Sequence, residues 1–173
     1  MNSGDRRHKS FQEGLITALA VGGFFIILGL VAVLTPNIAE KTNAFFSNLT
    51  NVSYPMGNNS TLSLPAPANP AAQIGLFTAV MYFFLGIGIL QIIILAARLA
   101  AHSRIGRIAE TVGNMIFWLG GAAVANVFLL AGTLSGWFSF WALLIVLVGV
   151  SLVARGLVHF AGRSMDKPKA PMQ

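Results

Sequence analysis

LITALAVGGFFIILGLVAVL, residues 15–34, is twenty residues long and carries no charge. About twenty consecutive apolar residues, rising 1.5 Å each as a helix, cross the hydrocarbon core of a bilayer. Arg6, Arg7 and Lys9 precede the run, as basic residues precede a secretory signal, but a signal's apolar region is shorter, about 7–15 residues. No convincing small-residue cleavage site follows, and Pro36 ends the helix instead. The stretch therefore reads as an uncleaved signal-anchor.

Outward from it, three further apolar stretches follow at 74–97, 112–133 and 137–160. The chain is expected to be all-α: an integral membrane four-helix bundle forming one domain of 173 residues. Composition agrees. Charged residues make up 9% and hydrophobic residues 55%, whereas a soluble domain carries about 25% charge to dress its surface.

The basic residues set the orientation. Arg6, Arg7 and Lys9 precede the first span. Arg98, Arg104 and Arg107 lie between the second and third, in a connection at 98–111. Arg155, Arg163, Lys167 and Lys169 lie at and beyond the end of the fourth. The other side holds only Lys41. Basic residues collect on the cytoplasmic side of a membrane, so both termini are expected in the cytoplasm and the protein in the cell membrane. The net charge of +6 is thereby assigned to anionic lipid headgroups, worth roughly 1 kcal/mol per residue near the surface, and not to nucleic acid.

Residues 35–72 then form a long polar outer loop with five of the seven prolines. Its segment 62–70 reads as extended, polyproline-like chain. With no evident core, the loop is expected to order only against something else. It carries four glycosylation acceptor patterns, at Asn48, Asn51, Asn58 and Asn59. A tight turn around Leu134-Ser135-Gly136 joins the third and fourth spans. The basic tail from 162, with Pro168 and Pro171, is expected to be disordered.

Chemistry-bearing motifs are scarce. The chain has no cysteine, and His8, His102 and His159 lie far apart, so no metal site and no cofactor are expected. No Ser/His/Asp set or phosphate-cradling glycine loop is present, and no enzymatic activity is expected. The polar residues of the spans are more informative, because a polar group in hydrocarbon needs a partner. If the third and fourth helices form a hairpin centred near Ser135, residues at equal depth have numbers summing to about 270. Asn114 then lies level with Arg155, and Glu110 level with His159. An inner polar cluster of Glu110, Asn114, Arg155 and His159 follows, with Gln91 of the second span as a further member and Glu13 and Thr17 nearby. Its first reading is a structural lock, its second a functional site. Asn126 is placed near mid-membrane, hydrogen-bonded to a neighbouring helix.

Small residues form stripes: Gly14, Ala18, Gly22, Gly29 and Ala32 on the first span, Gly75, Ala79, Gly86 and Ala97 on the second, Gly121, Ala125 and Gly132 on the third. Such stripes let helices approach closely within a bundle. Gln91 faces away from its own stripe, which points to a second contact such as another protomer. No span contains a proline or looks interrupted, against a broken-helix transporter.

Four spans with a long first outer loop resemble, in topology alone, claudin-type tetraspan proteins and large-pore channels. Those families carry loop cysteines and this chain has none; the claudin-type loop's Trp is also absent from 35–72. No family membership follows. The expected role is a structural or accessory subunit of a membrane assembly, with a membrane-protein partner or a homo-oligomer. The alternative is an oligomeric channel or small-solute permease lined by Asn126, Gln91 and the inner cluster.

Overall fold

The computed structural model of the chain describes residues 3–55 and 61–165. Helix α1 runs Ser3–Leu34, α2 Ile38–Ser47, α3 Ile74–Ala100, α4 Ile105–Val124 and α5 Leu134–Met165; strands β1, Leu49–Pro55, and β2, Thr61–Pro67, lie between α2 and α3. Among the described residues, four segments are long and apolar enough to cross a membrane, Glu13–Leu34, Pro70–Ala100, Ile105–Leu129 and Leu134–Gly162, as befits a small multi-pass membrane protein.

Helix ends extend beyond the expected spans. The basic stretch before residue 15 continues α1 back to Ser3, because Arg, Lys, Gln and Glu are good helix formers and no proline interrupts them. The connection expected at 98–111 shrinks to a short turn at 101–104, with His102 left-handed at φ 49° and α4 starting at Ile105. α5 continues through the start of the expected tail to Met165; residues 166–173 lie outside the described residues.

The third span is not a uniform helix. Residues Ala125–Leu129 form a π-helical turn, in which the Leu130 N–H donates to the Ala125 carbonyl at 3.2 Å. The turn into α5 lies at 130–133, one step before the expected Leu134-Ser135-Gly136. Gly132 supplies the left-handed residue (φ 62°) against the Ala71 backbone. The Thr133 hydroxyl then caps α5 by accepting from the Gly136 N–H at 3.0 Å.

The chain is mostly helical, and the long loop expected at 35–72 adds a short helix and a two-stranded hairpin that order against the spans. Asn37, left-handed at φ 58°, starts α2 after the Pro36 break. β1 and β2 pair antiparallel in the register Leu49↔Pro67, Asn51↔Pro65, Ser53↔Ser63. Prolines fit here because both strands of a two-stranded sheet are edges. The segment has no core of its own and borrows one. Phe45 of α2 packs against Phe77 of α3 and Trp137 of α5, with ring centroids 6.4 and 5.8 Å away. Ala66 and Pro67 of β2 are fully buried, and the Trp137 indole donates to the Pro65 carbonyl at 3.2 Å. α2 and the hairpin thus form a cap over one end of the helices.

The helices pack in the order α1–α3–α4–α5, with no extensive contact between α1 and α5. Close approach occurs where glycines receive side chains: Leu90 over Gly23, Ile27 over Gly86, Leu119 over Gly88, Leu147 over Gly120 and Phe84 over Gly121. Aromatic contacts run through the stack, from Phe140 to Phe84, Trp118, Phe83 and Phe24, at centroid distances of 5.1–6.4 Å. Each such pair adds about 0.5–1.5 kcal/mol beyond area burial. The expected role of the α1 stripe is corrected: a Cβ at Gly14, Gly22 or Gly29 would meet nothing within 4 Å, and the same holds for Gly149 and Gly156 of α5. α1 uses Gly23, not the stripe, to seat α3.

Candidate functional site

Polar side chains gather at the end opposite the cap, in two separate groups. The first staples α3 to α4. Arg98, in the last turn of α3, reaches across the 101–104 turn and donates to the Arg107 carbonyl and, at 2.6 Å, to the Thr111 hydroxyl. Thr111, 1% exposed, passes its own hydrogen to the Arg107 carbonyl at 2.9 Å. The Arg107 guanidinium meets Glu13 of α1 at 2.5 Å. Both charged groups are substantially exposed, so the pair is worth about 1 kcal/mol or less. Reading Arg98 and Arg107 only as headgroup-facing charge missed this staple. A Thr at the i+4 position from Arg107, back-bonding its carbonyl, was the available signal.

The second group joins α4 to α5. Arg155 donates to the Asn114 side-chain oxygen, as the depth rule anticipated. Its aliphatic stem lies over Gly113, where no side chain stands in the way. Its Nε is buried with no hydrogen-bond partner among the described residues. Ser151, one turn earlier on α5, is buried and closed on the Val148 carbonyl at 2.8 Å.

The rest of the expected cluster does not assemble. Glu110 is exposed, and forms no ion pair or hydrogen bond with the described residues. His159 is exposed and lies beside Gly106, a full turn nearer the end of α4 than Glu110. Gln91 is half-buried on α3 and takes no hydrogen bond within the described chain. Thr17 closes on the Glu13 carbonyl at 3.0 Å and stays local. The helical phase of α4 turns Glu110 outward while Ala109, Thr111 and Gly113 face in; a rule for depth carries no information about azimuth.

Asn126 also departs from expectation. It is exposed, within the π turn, and near the cap end of the span, since α4 begins at Ile105 and the turn into α5 follows at 130. It makes no hydrogen bond to a neighbouring helix within the described residues.

The glycosylation patterns separate by geometry. The Asn48 amide nitrogen, the atom a glycan would join, donates to the Ala44 carbonyl at 2.7 Å at the end of α2. Asn51 sits exposed in β1, and its side chain takes no hydrogen bond among the described residues. Asn58 and Asn59 lie outside the described residues. In a secretory-pathway host that translocates the cap, with Asn58 and Asn59 both changed to Gln, Asn51→Gln should abolish the glycan mobility shift and Asn48→Gln should preserve it. A shift that disappears with Asn48→Gln instead would contradict this order.

Comparison with protein-family models, with curated proteins and with solved structures finds no match.

Proposed function

We propose that this chain is a structural or accessory subunit of a membrane assembly, with its basic end in the cytoplasm and its cap outside. The observation that carries the reading is the cap. Residues that looked like a loose loop form an ordered platform, locked to α3 and α5 through Phe45, Phe77 and Trp137. Of its two strands, β2 lies against α5, while among the described residues β1 pairs with β2 alone. An unpaired strand edge is a template for pairing with another chain. The spans support the same reading, because glycine notches filled by Leu90, Leu119, Leu147 and Phe84 pack the helices directly on one another. Positive charge at the end remote from the cap supports the orientation.

The test is gentle-detergent purification of the full chain from its native membrane. A foreign membrane protein at fixed ratio is expected. Phe45→Ala, which removes the contact of α2 with Phe77 and Trp137 and leaves the Trp137–Pro65 hydrogen bond, should lower the yield of that partner while the chain stays in the membrane. A pure homo-oligomer that conducts a solute when reconstituted alone overturns the accessory role. It would favour the channel reading, on which the exposed Asn126 and the half-buried Gln91 would line a path between protomers at different depths.

A further inference from the structure

The cap does not close completely on the helices. A cavity of about 410 Å³ remains beneath it, walled by Phe45 of α2, by Leu49, Leu64 and Pro65 of the hairpin, and by Trp137 and Trp141 of α5. Pockets for small ligands run from about 300 to 1,000 Å³, usually with a few polar groups that fix orientation. This one has none to offer. The indole N–H of Trp137, the polar atom best placed to face inward, is already bonded to the Pro65 carbonyl.

We propose that this cavity holds a hydrocarbon tail of a membrane lipid. Three observations choose that occupant. The wall is carbon, so a headgroup or a polar metabolite would enter at the cost of its own unmet hydrogen bonds. Trp137 and Trp141 belong to the segment of α5 long and apolar enough to cross a membrane, so the cavity lies at the cap end of a span, at the interfacial level where headgroups give way to tails. The opening is also continuous with lipid-facing surface. Trp141, Ile145, Val148 and Leu152 follow one another at helical spacing, 49%, 74%, 46% and 57% exposed, and form a ridge leading from the spanning part of α5 up to the cavity. A tail lying along that ridge reaches the cavity without crossing water. Unoccupied, the aromatic walls would forgo dispersion contacts on one side. This inference does not depend on the partner reading, because a chain that purifies alone can still retain lipid.

Native mass spectrometry of the full chain, extracted from its membrane in mild detergent, is the first measurement. One retained lipid per chain is expected. The double change Leu49→Phe with Leu64→Phe, which fills the space, should lose it while melting at the same or a higher temperature. Val153→Phe, on an exposed lipid-facing site of α5 away from the ridge, should keep it. A second measurement needs no filled cavity. In a chain with Trp118→Phe and Trp141→Phe, Trp137 is the remaining tryptophan. In phosphatidylcholine vesicles its emission should be largely lost when the tails carry bromine, and be insensitive to iodide in the water. Equal lipid retention by the filled and original chains would overturn the proposal. So would quenching by iodide but not by brominated tails, or a second copy or foreign polypeptide found in the cavity.

Discussion

Gly136→Ala is expected to destabilise the folded chain by about 3 kcal/mol, the upper part of the range for forced overpacking. Gly136 lies in the first turn of α5, and a methyl group there would overlap the carbonyl oxygen of Phe128. That atom is backbone, in the π turn of the preceding span, so no side-chain rotation relieves the overlap. The turn itself is held by Gly132 in a left-handed conformation and by Thr133 capping the Gly136 N–H, and moving Phe128 disturbs both. Thermal unfolding of the detergent-solubilised protein, followed by circular dichroism, measures the loss. Gly149→Ala is the matched control. A Cβ there meets nothing within 4 Å, and replacing a mid-helix glycine by alanine favours the helix by up to about 1 kcal/mol. Equal melting temperatures for the two variants would show that the approach of α5 to Phe128 is not a constraint.

Asn114→Leu is expected to cost about 2–3 kcal/mol, and Arg155→Met far less. The two changes remove the same hydrogen bond from opposite sides. Without Asn114, the Arg155 guanidinium keeps its charge and loses its one partner in the described structure, while its Nε is already buried without one. Without Arg155, the half-buried neutral amide remains, and a flexible apolar chain can still lie over Gly113. Leaving a buried charge without its partner is costly, whereas replacing both partners by apolar groups is often neutral. The double variant should recover most of the loss, which a double-mutant cycle by denaturant titration reads directly. The reverse order, with Arg155→Met the more damaging, would mean that Arg155 serves something other than the hairpin.

The spans were legible because hydrophobic run length is a local property. Residues 15–34 alone imply a crossing helix, and the structure has four helices of that kind. Depth was legible too, since two antiparallel helices joined by a short turn fix which residues share a level, and Asn114 does meet Arg155. Azimuth was not. Glu110 follows Ala109, whose side chain is buried, and one residue of helical rotation takes Glu110 to the exposed face. The cap was hidden for a different reason. Its core is Phe77 and Trp137, residues far away in the chain that belong to the second and fourth apolar stretches. The small-residue stripe of α1 shows the converse limit. Its spacing is regular, yet the neighbour seats on Gly23, next to Gly22 in sequence, because Leu90 happens to face that notch.

The helix that seats on Gly23 is α3, not the next element along the chain, and this has a consequence for biogenesis. When α1 leaves the ribosome and enters the bilayer, its partner does not yet exist. Its notch at Gly23 stays unfilled by Leu90 through the synthesis of α2, β1, β2 and most of α3, with Glu13 still awaiting Arg107 of α4. β1 follows α1 and α2, β2 precedes α3, and their pairing holds the two ends of the connection together in the folded chain. The notch at Gly23 is therefore completed only when Leu90 has been made, and the packing of α1 waits on the whole of the cap's sequence.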